Sequence, residues 1–467
     1  MSIRSRKGGG KEGKGEKKGV VNRKGNFQPF TTNRTELSEI PERNQGGEMK
    51  IAKITLFALL AALVAVGVST TSYAFHSGGV AECGGCHSMH TPAPTGSFLL
   101  INSDASSTCL SCHQNAADTG PSSYHISTAP GSLGSGQAPL QRTPGGDFGW
   151  LKKTYNFTVR GTTTTENGAT HGHNIIASDF GYVVDPVNSA APGGTFTSSQ
   201  LACNSCHDQH GQYRRLSTGV IAKTGAPIKA SGSYDNTATN EPDTANAVGT
   251  YRLLAGAGYN KAAFPGVPAA KVPGTYNRTE AATQTRTAYG HATTGGHTAW
   301  GSWCATCHPD MHSSGNYVHP TDETLSGGTA ANYQQYVKSG DMSGTTGATS
   351  FTSLVPFIES TADYTVLASH AKNNDTVLSG PTASDRVSCL SCHRAHASGW
   401  EYALRWNMEG EFMVYNSLYP GTDTTPTVPQ FARGRLGAET NAAYYDRPVT
   451  KFATYQRVLC NKCHAKD

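Results

Sequence analysis

The chain is poor in apolar side chains. They make up 36% of its 467 residues, against roughly 45–50% in a typical globular domain. With 53 glycines and weak hydrophobic periodicity throughout, residues 75–467 have little from which to build an ordinary packed core. No cysteine is free for a disulfide, since all 12 fall into C-x-x-C pairs. The one long apolar run, 54–68, is shorter than the roughly 20 residues a membrane span needs, which excludes an integral span from the mature chain. Acidic and basic side chains show no pairing suited to catalysis. The positive charge is also local. Residues 1–74 hold 13 of the 38 Lys/Arg and 6 of the 33 Asp/Glu, so the remainder carries 25 against 27, a net of −2. An acidic working protein argues against nucleic acid as a partner.

What is present is one motif, six times. Motifs 1 to 6 are Cys83/Cys86/His87, Cys109/Cys112/His113, Cys203/Cys206/His207, Cys304/Cys307/His308, Cys389/Cys392/His393 and Cys460/Cys463/His464. Two cysteines spaced C-x-x-C with an immediate histidine form the attachment signature of a c-type haem. The thiols add to the haem vinyl groups and the histidine becomes the proximal iron ligand. A lone C-x-x-C could be a zinc half-site or a redox pair, but six followed at once by histidine exclude that reading. Six covalent haems also resolve the shortage of apolar residues. The protein is expected to wrap a cofactor stack that serves as its core, and the apoprotein to be largely unfolded.

Motif starts are separated by 26, 94, 101, 85 and 71 residues. The segments between them are rich in Gly, Ser, Thr, Asn and Pro. The predicted fold is mostly irregular chain with short helical turns at the haem motifs, a continuous haem chain, and very little sheet, such as a strand at 155–159. Residues 75–467 read as a single domain. Residues 49–74 read as a secretory signal, with Lys50 and Lys53 before the apolar run and small residues at Ser72 and Ala74. The basic, Gly/Lys-rich stretch 1–48 ahead of it reads as an overlong gene start or disordered arm. Secretion through the periplasm is the expected route.

Of 18 histidines, six are proximal and 12 remain. His90, His210 and His396 follow a proximal histidine by three residues, and His312 by four. His173 and His370 stand upstream of motifs 3 and 5, and His125 and His319 stand alone. These eight are the candidate distal ligands, so two are surplus if every iron takes two imidazoles. His90 lies on the same side of the porphyrin as His87, so it can only serve another haem. His76, His171, His291 and His297 read as exposed or as supporting a ligand. With histidine so plentiful, Met89, Met311, Met342, Met408 and Met413 are set aside as ligands. Iron with two imidazoles has no open position, which suits low-potential electron transfer rather than catalysis. Trp303 and Trp400 read as haem packing.

Several stretches resemble the OmcS-type six-haem outer-surface cytochromes of metal-reducing bacteria. They are F-H-S-G-G-V-A-E-C at 75–83, T-G-P-S-S-Y-H-I-S-T-A at 119–129, T-P-G-G-D-F-G-W at 143–150 and T-Y-N-R-T-E-A at 275–281. A-D-Y-T-V-L at 362–367, C-L-S-C-H-R-A-H-A-S-G at 389–399 and the terminal Y-Q-R-V-L-C-N-K-C-H-A-K-D at 455–467 complete the set. The resemblance implies a filament of head-to-tail copies, with His90 ligating the haem on His393 of the neighbouring copy. It also implies electron delivery to extracellular acceptors such as metal oxides or partner cells, and exchange with other cytochromes. Two departures stand out: Asn115 replaces a histidine of the family, and 290–302 looks like an insertion carrying His291 and His297. The rival expectations are a monomeric periplasmic electron shuttle and, less well supported, a multihaem reductase.

Overall fold

All six motifs start in a helical turn. In the computed structural model, Cys83–Cys86, Cys203–Cys206 and Cys389–Cys392 are single turns. Cys109 lies in Ala105–His113, Cys304 in Trp300–Ala305 and Cys460 in the 3-10 turn Leu459–Lys462. The structure describes residues 83–94, 97–115, 117–118, 120–210, 228–229, 247–248, 251–259, 261–293, 297–312, 318–335 and 346–464. The side chains of Cys83, Ser97, 228–229 and 247–248 are not among the described parts. The stretch 1–48, the signal at 49–74, His76 and Met342 all lie outside the described residues.

Local chemistry starts these turns. The Asp104 carboxylate accepts from Ser107 N at 2.7 Å and caps Ala105–His113. Ser388 and Ser391 exchange hydrogen bonds across the first turn of Cys389–Cys392. Trp300–Ala305 is capped from a distance: Asp322 accepts from Gly301 N at 2.8 Å and Ser302 N at 2.7 Å.

The strand predicted at Tyr155–Val159 is present and pairs antiparallel with Thr162–Glu166. The two residues between, Arg160 and Gly161, have φ of 51° and 82°, as a tight hairpin turn of primed type requires. The other sheets have two or three strands of two or three residues each. Among the described residues no helix is long and apolar enough to cross a membrane. The fold class read from the sequence holds.

Three apolar clusters form, and aromatics fill much of them. One gathers Trp150, Tyr333, Phe351, Trp400, Trp406 and Tyr444 around Cys392, Cys460 and Cys463. A second centres on Tyr251, Tyr289, Trp300 and Tyr364, and a small third on Leu110, Phe148 and Tyr182. Large rings supply the buried area that the missing aliphatics do not.

One crossing organises the middle of the molecule. The segment after motif 5 runs between two others: His396 N donates to Gly145 O, His173 N to His396 O and Ser398 N to His171 O. The approach is so close that a β-carbon on Gly146 would lie 1.8 Å from Ala397 O, and one on Gly172 2.2 Å from His396 O. Only glycine fits at either position. Beside the crossing lies a buried ion cluster. Glu166 accepts from Arg433 Nε at 2.9 Å, from Arg435, and from His171 Nε2 at 2.8 Å, while Arg433 also reaches Glu401. His171, read as exposed or supporting a ligand, is fully buried on this carboxylate.

Candidate haem sites

The three motifs that read C-x-x-C-H-x-x-H, numbers 1, 3 and 5, share a second element. A short 3-10 turn crosses each one: Ser97–Leu99, Tyr251–Leu253 and Glu401–Ala403. Each turn holds two consecutive left-handed residues, Phe98/Leu99, Arg252/Leu253 and Tyr402/Ala403, with φ between 51° and 60°. The carbonyl of the first accepts the Nδ1–H of the proximal histidine. The distances are 2.9 Å for His87 on Phe98, 2.7 Å for His207 on Arg252 and 2.7 Å for His393 on Tyr402. The flanking backbone bonds repeat as well. Ser88, Asp208 and Arg394 donate to Leu99, Leu253 and Ala403, and Ile101, Ala255 and Arg405 donate to Cys86, Cys206 and Cys392. We call this second element the strap.

Motifs 2 and 4 anchor Nδ1 otherwise. His113 donates to Tyr124 O at 3.0 Å and His308 to Pro192 O at 2.8 Å. Among the candidate distal ligands, His173 Nδ1 donates to Ala395 O at 2.7 Å and His125 Nδ1 to Asp118 at 2.9 Å. An Nδ1–H so engaged fixes the tautomer and puts the lone pair on Nε2, the form a metal needs. Burial pushes His113, His173, His207 and His393 below the ordinary histidine value. Burial, then the neighbouring His207 and His173, push His396 down to about 3. All five are neutral near pH 7.

The rings then come in facing pairs. Centroids are 5.9 Å apart for His87 and His210, 6.4 Å for His207 and His396, 6.0 Å for His308 and His173, and 6.2 Å for His464 and His319. Two metal–nitrogen bonds of about 2 Å plus two ring radii give a separation on the order of 6 Å. His113 and His125 both pack on the Tyr124 ring, at 5.6 Å and 4.6 Å. Among the described residues no histidine ring faces the other two candidates: His312 Nε2 lies 3.1 Å from Asp322, and His370 Nδ1, like His125 Nδ1, rests on a carboxylate, 2.7 Å from Glu359. Two more histidines are left over. Among the described residues no histidine ring faces His393, and His90 is exposed.

These features fit haem. Among the described residues, no three His, Cys, Asp or Glu side chains converge on a bare ion. Histidines in twos suit a metal whose other positions a macrocycle fills. Buried donors also lack acceptors: Arg394 Nε and Nη2, Trp400 Nε1 and Trp406 Nε1 have none among the described residues. Buried N–H groups in native folds are almost always paired, and haem propionates would supply anionic oxygens. Beside Cys460 and His464 lies a cleft of about 320 Å³ lined by Met408 and Arg457.

The sulfurs give the order. Cys86 lies near Cys109, Cys109 beside Cys203, Cys206 near Cys307, Cys304 beside Cys389, and Cys392 near Cys460 and Cys463. Motifs adjacent in sequence are therefore adjacent in space, from 1 through 6.

Cys112 stands apart from the other attachment cysteines. It is exposed, whereas the other described cysteine side chains are half-buried. The cause is the helix it sits on. Ser107 and Leu110 share the buried face of Ala105–His113, and Cys112, two residues past Leu110, points about 200° away from it. Its neighbour Ser111 is exposed too, with Oγ 4.0 Å from the Cys112 sulfur. Motif 2 thus offers one half-buried thiol, Cys109, and one at the surface.

No family model matches the chain. It is 51% identical over 444 residues to the C-type cytochrome OmcS of Geobacter sulfurreducens, an alignment spanning 89% of this chain and 99% of that protein. Two solved structures are similar to it, one described as OmcS nanowires from Geobacter sulfurreducens, by cryo-electron microscopy, and one as an outer membrane cytochrome S filament from the same species. In each, the match has a TM-score of 0.72 and 50% identity, and covers 84% of this chain and all of the other.

Proposed function

This chain belongs to the OmcS-type family of c-type cytochromes, and from that premise we propose that it polymerises head to tail into an extracellular filament that carries electrons. Six haems, bound through the 12 cysteines with the exposed Cys112 included, supply iron that changes oxidation state while its ligands stay in place. The chain's own residues hold, orient and space them. His87, His113, His207, His308, His393 and His464 are the proximal ligands. Their distal partners are His210, His125, His396, His173, His90 of a second copy, and His319. His312 and His370 are assigned to their carboxylates.

One observation carries the reading. His210 of motif 3 faces His87 of motif 1, and His396 of motif 5 faces His207 of motif 3. Each step takes the histidine three past one motif to the proximal histidine two motifs back. The step ends with His393 unfaced and begins with His90 exposed. Taken once more, it sets His90 of a second copy on His393. A contact that repeats the same step without closing generates a filament.

The domain is 75–467, exported by the signal at 49–74 through the periplasm, with 1–48 outside the mature protein. The acceptors are extracellular oxidants such as metal oxides, partner cells or other cytochromes. Every iron is capped on both sides, so the protein is an electron carrier and no reductase. The test is the His90→Ala variant, purified with its haems. Electron microscopy should show dispersed subunits, and electron paramagnetic resonance should show one haem in six turned high-spin. Wild-type-like filaments from this variant would reject the reading.

A further inference from the structure

Motifs 1, 3 and 5 share a backbone, so their side chains can be compared position by position. The residue after the proximal histidine, which donates to the strap, is Ser88, Asp208 and Arg394 in turn. The residue just past the strap, which donates to the carbonyl of the second cysteine, is Ile101, Ala255 and Arg405. At these two positions motif 1 has neutral side chains and motif 3 has a buried carboxylate. Motif 5 has two cations.

Both arginines are buried, Arg394 at 1% and Arg405 at 2% exposure. Among the described residues their acceptors are carbonyls, not carboxylates. Arg405 Nε donates to Leu390 O at 2.8 Å and to His393 O at 3.2 Å, and Nη1 donates to Ser353 O at 3.3 Å. Arg394 Nη1 reaches Pro144 O at 3.4 Å, and its guanidinium lies 3.5 Å from the centre of the Tyr445 ring. Two carboxylates of the same region are engaged elsewhere. Glu280 is held by Arg447 at 3.3 Å, Tyr276 at 2.6 Å and Ser353 at 2.9 Å. Asp322, whose N–H meets Val387 O ahead of motif 5, accepts from Gly301 N and Ser302 N.

Burying a cation without a counter-charge is costly, and the Tyr445 ring offsets only part of it for Arg394. A charge held this way also acts over a distance, because little water lies between to screen it. Reduction adds an electron to the iron, so a fixed positive charge favours the reduced form. Haem propionates leave the contrast between motifs unchanged, since every haem brings them. Motif 3 has a cation of its own in Arg252, but that side chain is half-buried, where water screens it, and Asp208 opposes it.

We propose that Arg394 and Arg405 hold the haem on His393 at a higher potential than the haems on His87 and His207. This needs only the attachment of that haem at motif 5. Its consequence rests on the head-to-tail reading above: the haem shared between copies through His90 is where an electron moving along the odd series rests longest.

The test is a redox titration of haem-loaded filaments carrying Arg394→Gln, Arg405→Gln, Arg394→Lys or Arg405→Lys. In each glutamine variant all six haems should stay low-spin, and one-sixth of the titration amplitude should move to lower potential. A unit charge about 10 Å away in a medium of effective dielectric about 20 changes the reduction equilibrium roughly tenfold, about 59 mV for one electron. The lysine variants keep the charge and should titrate like wild type. Arg405 also holds two carbonyls of motif 5, so if its variants fail to assemble, Arg394→Gln decides, since it loses a single long hydrogen bond. An unmoved titration in Arg394→Gln, or a lysine variant that shifts as far as its glutamine counterpart, would overturn the proposal. Either result leaves the head-to-tail reading standing, because that reading falls only if His90→Ala still assembles.

Discussion

Odd and even motifs hold their histidines by different means. In motifs 1, 3 and 5 the proximal Nδ1–H meets a strap carbonyl held by left-handed backbone. In motifs 3 and 5 the histidine three residues on faces the proximal histidine two motifs back. In motifs 2 and 4 the acceptor carbonyl comes from ordinary irregular chain, and the candidate partners of the even motifs are isolated histidines, His125, His173 and His319. The odd set is a translational series with one ligand over at its start and one site over at its end. The even set closes within the chain. On the proposed head-to-tail reading, assembly is a property of the odd motifs, and the even ones are built by tertiary packing.

The largest expected effect comes from breaking the odd series inside the chain. In His396→Ala the ring facing His207 is gone, together with its 4.7 Å stack on Phe148. One haem in six should turn high-spin by electron paramagnetic resonance, yet filaments should still form because the His90–His393 step is intact. An all-low-spin spectrum would end the idea of a series.

The even side can be broken without touching a histidine. Burial pushes the Glu166 carboxyl up, but Arg435 and His171 outweigh it and hold it well below the usual range. Arg433 and Glu401 complete the cluster. It backs His171, whose neighbours Gly172 and His173 lie along the motif-5 segment. Glu166→Gln leaves the Arg435 charge buried without its partner, which costs about 3–5 kcal/mol. The sign with pH follows from the depressed value. The carboxylate's contribution is complete above its ordinary pKa of 4.5 and is lost as pH falls below it. Acid titration of wild type should therefore show a loss of stability below that point that the variant lacks, and the haem on His308 should respond first. Parallel curves for the two proteins would deny the cluster this role.

A smaller effect separates strap backbone from strap side chain. Proline cannot reach the φ of 51° at Arg252, so Arg252→Pro should cost about 3 kcal/mol or more. Arg252→Asn, which tolerates that φ, should fall within about 1 kcal/mol of wild type. Denaturant midpoints of the two variants should differ accordingly. Equal midpoints would mean that the left-handed pair is incidental.

The attachment cysteines and proximal histidines are legible in the sequence because C-x-x-C-H is contiguous. The strand at Tyr155–Val159 is legible because its pattern is local. The straps are not. They lie 11, 45 and 9 residues past their histidines, and Phe98, Arg252 and Tyr402 give no sign of left-handed backbone such as glycine would. The exposure of Cys112 is hidden for a related reason: the motif fixes its spacing from Cys109 but not which face of the helix packs inward. Nor could spacing sort the eight candidate histidines. His312 and His370 sit at offsets like those of their neighbours, and what sets them apart is that, among the described residues, no proximal histidine ring comes to face them. His171 looked like a spare because nothing nearby in sequence reveals that Arg433 and Arg435 converge on Glu166.

The smallest effect is also the sharpest test of the odd–even contrast. His312 follows motif 4 by four residues. If it were a ligand, an even motif would export a histidine just as the odd ones do. In the structure it is 31% exposed and rests on Asp322, which keeps its bonds to Gly301 and Ser302 when the imidazole is removed. His370, 35% exposed, rests on Glu359, which keeps Arg286 at 2.8 Å. Half-exposed pairs of this kind are worth about 1 kcal/mol or less. His312→Asn and His370→Asn should therefore leave all six haems low-spin and the filaments intact, with only a slight drop in denaturant midpoint. A high-spin signal from His312→Asn would put a ligand on an even motif, and filament assembly would then no longer follow from the odd series alone.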